Sequence, residues 1–305
     1  MAVIETVQGP IAPEALGFAL IHEHIMCDFV GARETGPHRW VRDQVVATMA
    51  PHLHALRDRG VTGFVDCSPT CLGRDPLILL RLSLLTGLHI LTNTGLYKEP
   101  YLPQEVFNLS AQALADRWII EWREGIDGTG IRPGLIKIAV NPGKLLPVQE
   151  KIVRAAVITH QATGLLVVAH TGDSVAARQS LDIVEAEGMD PGRYVIVHAD
   201  QIPEPEVHVE LAERGAWLEY DAIGTRQMEE HVALVSRMLE WGFEDRLLLS
   251  QDAGWFHVGE PSGGEVRSYT TIVDEFIPRL MDTGVSDNQV YKLLVQNPRD
   301  ALSVG

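Results

Sequence analysis

Short apolar runs recur along the chain, and each gives way to a longer amphipathic segment. The first run, Phe18-Ala19-Leu20-Ile21, ends in His22-Glu23-His24. Further runs at 61–66, 88–94, 134–140, 165–170, 194–198, 216–221 and 246–252 read as strands. Helical periodicity fills the intervals, from about 43–59, 75–86, 104–125, 148–163, 174–187, 205–214 and 228–241, and two more helices close the chain near 268–281 and 287–296. Gly60 and Gly87 stand where a helix commonly ends on a left-handed residue. Residues 1–16 carry turn signals at Gly9-Pro10 and Pro13 and read as a short extended lead-in. Eight short apolar strands, each followed by a helix, indicate a parallel sheet buried on both faces. That count and the length of 305 residues favour one closed (β/α)8 TIM barrel over an open doubly wound sheet. No linker, low-complexity tract or repeat divides the chain, so 1–305 reads as a single domain.

Barrel enzymes place their chemistry at the C-terminal ends of the strands. In a strand, positions i and i+2 share a side, so His22 and His24 project together, as half of a metal site does. His52-Leu53-His54 falls in a helical pattern, where i and i+2 diverge and cannot share an ion. The other strand ends offer Lys137, His170, His198 and Asp252. Each has an ordinary structural alternative: a hydrogen-bonded histidine, a capping aspartate, an ion-paired lysine. Together they meet on one barrel rim. Glu23 alternates to the outer face and reads as structural. Desolvation pushes a barrel lysine toward its neutral amine. Such an amine at Lys137 reacts either with carbon dioxide, giving an anionic carbamate that bridges two cations, or with a carbonyl substrate as a Schiff base. Four neighbouring histidines suit metals better than an imine.

Composition narrows the function further. Hydrophobic residues make up 46% of the chain and charged ones 22%, enough for a large core. A formal charge of −16 with no basic run argues against nucleic acid or anionic membrane as a partner; acidity alone says little about a small-molecule substrate, which the strand-end residues lead one to expect. No apolar run approaches the roughly 18 residues of a membrane span, and the first residues lack a signal-peptide pattern. Three cysteines, Cys27, Cys67 and Cys71, are too sparse for a disulfide framework and fit a reducing, cytoplasmic setting. No glycine-rich nucleotide motif follows a strand.

Taken with Thr6-Val7-Gln8-Gly9-Pro10-Ile11, Cys71-Leu72-Gly73-Arg74-Asp75, Asn93-Thr94-Gly95-Leu96-Tyr97 and Asn297-Pro298-Arg299, these strand ends resemble the phosphotriesterase family of the amidohydrolase superfamily, nearly end to end. The resemblance implies two divalent ions, zinc foremost, with manganese or cobalt accepted by related members. His22, His24 and Asp252 would hold the more buried ion, and His170 and His198 the more exposed one. Carboxylated Lys137 and a hydroxide would bridge them, the hydroxide attacking the substrate and Asp252 taking up its proton as general base. The chain departs from the family pattern after strand seven. Ala222 holds the place of a relay histidine in organophosphate-hydrolysing members and of an arginine in acyl-homoserine lactonases. The relay acid's place falls on Gln201, beside Asp200. Tyr97 matches the tyrosine that the lactonase branch places beside its metals. The expected activity is therefore hydrolysis of a small polar or sugar-derived lactone, with phosphotriester (aryldialkylphosphatase-type) or amide hydrolysis as the alternative. A binding protein on a hydrolase scaffold is the rival from another class. Substrate-facing candidates are Tyr97, Lys98, Arg226, Trp255 and His257, with Lys98 and Arg226 suited to an anionic group. By analogy with the family, a homodimer is expected.

Overall fold

The computed structural model describes every residue except Arg226. Its barrel strands are β1 (Ala19–Glu23), β2 (Gly63–Asp66), β3 (His89–Leu91, continued by Asn93–Thr94), β4 (Leu135–Ala139), β5 (Leu166–His170), β6 (Tyr194–Val197), β7 (Trp217–Tyr220) and β8 (Leu247–Leu249). All neighbouring pairs are parallel, in the order β1-β2-β3 and then from the second half of β3 through β4 to β8. Backbone bonds from Asp252 N–H to His22 C=O (3.1 Å) and from His24 N–H to Ala253 C=O (3.1 Å) tie the end of β8 back to β1. The expected α/β barrel is what forms.

Two apolar layers follow from the period of two in each strand. Ile21, Val65, Leu91, Leu135, Val168, Val195 and Leu248 fill the interior. Leu20, Phe64, Ile90, Ile136, Ile196 and Leu249 face the surrounding helices. The lead-in is a small antiparallel hairpin, Ile4–Thr6 with Gly9–Ile11. Its Ile4 joins Leu16 and Leu302 in closing the interior layer.

Helix starts follow local chemistry. Asp75 accepts from the N–H groups of Leu77 and Ile78 and caps the helix Pro76–Thr86, which Gly87 ends in a left-handed conformation. The helix expected over 104–125 is split. A single 3-10 turn, Gln104–Phe107, comes first, and Ser110 then caps Ala111–Glu124 by accepting from Ala113 N–H at 3.1 Å. The helix expected from 268 begins later, with a π-helical turn at Ile272–Phe276 running into Ile277–Asp282. Among the described residues, no helix is long and apolar enough to cross a membrane.

Candidate metal centre

Strict alternation would put His22 on the side of Leu20, facing the helices. Instead, the β1–β2 register shifts between Leu20 and Glu23. A bulge of this kind adds a residue and re-aims the side chains beyond it. Ile21 then lies in the interior layer, while His22 and His24 still turn into the cavity. His198 is redirected by another device. It follows outward-facing Ile196 by two positions, yet adopts φ +59°, which swings its ring inward. Asp252 has φ +48°. Left-handed backbone is costly for such residues and is characteristically kept where function requires it. Gly95 serves the same rim, because a Cβ there would collide with the Lys137 carbonyl.

His22, His24, Lys137, His170, His198 and Asp252 all line one cavity of about 150 Å³. His24 Nε2 lies 2.9 Å from Asp252 Oδ1, and His22 Nε2 lies 3.7 Å from the same oxygen. Lys137 Nζ is 3.2 Å from His22 Nε2, and it forms no ion pair among the described residues. His198 Nε2 and His170 Nδ1 approach to 2.7 Å.

The outer nitrogens decide whether these groups suit metal ions. Asp221 accepts from His22 Nδ1 through Oδ2 (3.0 Å) and from His198 Nδ1 through Oδ1 (2.6 Å). Ser68 spends its only proton on the Met26 carbonyl (2.9 Å), so it must accept from His24 Nδ1 at 2.8 Å. Each Nδ1 therefore carries a hydrogen, so Nε2 is the nitrogen that each ring turns to the cavity, the arrangement metal-binding histidines use. Burial pushes His24 down to about 4 against the pull of Asp252, and it pushes His170 well below the usual range with help from His198 and Lys98. Both are neutral imidazoles at ordinary pH. Burial alone would raise the Asp252 carboxyl, but His22 and His24 outweigh it and hold the group ionised. The residues present fit a metal centre.

Strand β7 contributes what the sequence reading overlooked. Trp217, Glu219 and Asp221 alternate inward, placing two carboxylates beneath the rim. Two acids two residues apart in a buried strand were a readable signal, because such charges are expensive unless a site uses them. Glu219 Oε1 is 3.1 Å from His22 Nδ1, but both Glu219 oxygens lack a hydrogen bond. Burial raises its carboxyl. Asp221→Asn removes one acceptor from a carboxylate shared by two histidines. It is expected to lower metal affinity roughly 10–100-fold, as measured by titration against a chelator. Unchanged affinity would show that the histidines orient themselves.

Glu23 is fully buried and does not line the cavity. It accepts from Ser250 Oγ (2.8 Å), Gln251 N–H (3.1 Å) and Ala253 N–H (2.6 Å). Its role is structural, as expected, but it acts on the segment that carries Asp252.

The remaining cavity wall is Phe29, Leu72, Tyr97, Trp255 and Cys27. Tyr97 hydroxyl lies 3.0 Å from His170 Nδ1, and Lys98 Nζ lies 2.8 Å from His170 Nε2. Trp255 lines the cavity as expected, but His257 lies beyond it, in an outer groove shared with Glu260, Glu265 and Arg267. Arg226 lies outside the described residues.

Residues 2–302 match the model of the phosphotriesterase family. The chain belongs to the phosphotriesterase family. It is 29% identical over 286 residues to a phosphotriesterase homology protein of Escherichia coli, covering 92% of this chain and 96% of that one. A mutant organophosphorus hydrolase from Deinococcus radiodurans has a similar structure, with a TM-score of 0.89 and 30% identity over 98% of this chain and 97% of that one. A mutant PTE-like lactonase from the same organism superposes with a TM-score of 0.88 at 30% identity, over 98% and 99% of the two chains. As a phosphotriesterase-family hydrolase, the chain carries its own variation after β7. Ala222 N–H donates to Asp200 Oδ2 at 2.7 Å, and His231 Nε2 lies 2.9 Å from the same oxygen. Asp200 is thereby engaged by the β7 backbone and by the helix Met228–Glu240.

Proposed function

We propose that this chain is a binuclear metal-dependent hydrolase that opens a small lactone. The observation that carries this reading is Tyr97, whose hydroxyl reaches His170 from the wall of a compact cavity. His22, His24 and Asp252 would hold one divalent ion and His170 and His198 a second, with Lys137 as a carbamate between them. Two such ions act as Lewis acids on a carbonyl and make hydroxide available from water at neutral pH.

The chain's own groups supply the rest. Burial pushes the Tyr97 phenol upward, so it keeps its proton and donates to the oxygen that gains charge as the ring opens. Asp252, its carboxyl held below the usual range and placed 2.9 Å from His24 Nε2, accepts the proton released from water and returns it to the leaving oxygen. Phe29, Leu72 and Trp255 exclude bulk water and offer apolar area to a small ring, sugar-derived rings included. The likeness to an organophosphorus hydrolase keeps phosphotriester cleavage as the second reading.

The test loads metal-free protein with zinc, manganese or cobalt and offers sugar lactones, acyl-homoserine lactones, N-acyl amino acids and a paraoxon-like triester. Lactone turnover that needs metal and disappears with a chelator is expected, with two ions bound per chain. No turnover of any lactone by the loaded protein sinks this reading. Turnover of the triester or the N-acyl compounds alone moves the assignment to those bonds.

A further inference from the structure

The chain has five lysines. Lys292 is ion-paired with Asp245, Lys151 donates to the carbonyls of Val106 and Phe107, and Lys144 is exposed. Lys137 lies within the barrel. Lys98, like Lys137, has neither a carboxylate nor a carbonyl partner for its side chain among the described residues, but it lies outside the barrel strands. It is half-buried against two cavity-lining residues, His170 and Tyr97, in a strongly acidic protein, yet it pairs with no carboxylate among the described residues. Its contacts are His170 Nε2 at 2.8 Å and the face of Tyr97, with Nζ 5.6 Å from the ring centroid. Among the described residues, partly or fully buried arginines elsewhere have acids or carbonyls: Arg39 has Asp28, Arg214 has Asp182 and Glu185, and Arg74 has Glu121.

The two ring nitrogens of His170 determine what this lysine can do. His170 Nδ1 is the nitrogen that faces His198 Nε2 and the cavity. An ion held by His170 therefore sits on Nδ1, which leaves the ring hydrogen on Nε2. An ammonium has three donors and no lone pair. With the ion in place, Nε2–H and the Lys98 ammonium are two donors facing each other, and their hydrogen bond cannot persist. The cation is left over Tyr97 at the mouth, half-desolvated and without a counter-charge. A charge in that position costs free energy until an anion meets it, and it binds that anion more strongly than an exposed lysine would.

We propose that Lys98 receives an anionic group, a carboxylate or phosphate borne by the substrate beside the bond to be broken, and that metal loading of His170 releases it for this task. The inference rests on the hydrolase reading above for which bond is broken, but its binding step can be tested without turnover. The probes are 2-pyrrolidinone-5-carboxylate and 2-pyrrolidinone, which share one lactam ring and differ only in the carboxylate. Calorimetric titration of the zinc-loaded protein is expected to show at least a tenfold preference for the carboxylate. The metal-free protein should show less than a twofold preference. Zinc-loaded Lys98→Met should lose the preference, while Lys98→Arg should retain most of it.

A preference that survives undiminished in zinc-loaded Lys98→Met places the carboxylate on the ions and overturns the proposal. So does an equal preference in the metal-free protein, or no preference in the zinc-loaded parent. Absence of carboxylate binding counts the same way. If Lys98→Met fails to fold, loss of the preference in folded Lys98→Arg overturns it. Lactone turnover is followed in parallel. A Lys98-dependent preference without lactone turnover sinks the lactone reading alone, and turnover without the preference sinks the role of Lys98 alone.

Discussion

Asp252→Asn is expected to lower kcat/KM about a thousandfold while the protein stays folded. The size follows from how many demands meet on one carboxylate. Asp252 Oδ1 faces both His24 Nε2 and His22 Nε2, at 2.9 and 3.7 Å. Those two rings keep it ionised despite burial. Its backbone is held in a left-handed conformation, and its carbonyl accepts from Arg267. An amide keeps the shape but turns one acceptor into a donor aimed at the ligand cluster, and it cannot take up a proton at ordinary pH. Metal content must be measured beside activity. A variant that keeps both ions and more than about a tenth of the parent's activity has lost nothing essential, and the proton-accepting role of Asp252 would then be wrong.

Glu23→Ala is expected to be the most destabilising single change considered, at about 3–4 kcal/mol. Two buried N–H groups, those of Gln251 and Ala253, lose their acceptor, and each unmet buried donor costs roughly 1–3 kcal/mol. Ser250 Oγ also loses an acceptor but can rotate toward another. The loss falls on the seam where β8 meets β1, so the midpoint of urea unfolding should fall for metal-free protein as well as for loaded protein. Glu23→Gln, which retains one acceptor oxygen, should lie between the two. A Glu23→Ala midpoint within experimental error of the parent would show that water replaces the carboxylate at no cost.

Much of this architecture was readable because it depends on periodicity. The eight apolar runs are the eight strands, and Lys137 and His170 point inward by simple alternation with Leu135 and Val168. His22 and His198 do not. Counted from Leu20 and Ile196, which face the helices, alternation would turn them outward, and a bulge in one strand and a left-handed residue in the other reverse this. Both are properties of the backbone under tertiary constraint, and no local residue pattern announces them. The split at 104–125 is a different case. Ser110 is a residue type that caps helices, but an amphipathic pattern runs straight through it and masks the break. Asp221 and Glu219 are legible in principle as acids two residues apart in one apolar run, but they act from beneath the ligands, on histidine nitrogens that a linear pattern does not pair with them.

The Glu23 clamp also bears on how such a barrel can change its substrate. The segment 250–253 is fastened to β1 by a residue that touches no ligand atom, and the loop bearing Trp255 begins immediately beyond it. Loop exchange after residue 253 therefore has a natural joint. Sequence and length can vary on the far side while the aspartate stays where the barrel seam holds it. A graft that begins two residues earlier would disturb the seam itself. The junction, more than the length of the loop, should decide whether a transplanted specificity arrives with a working centre.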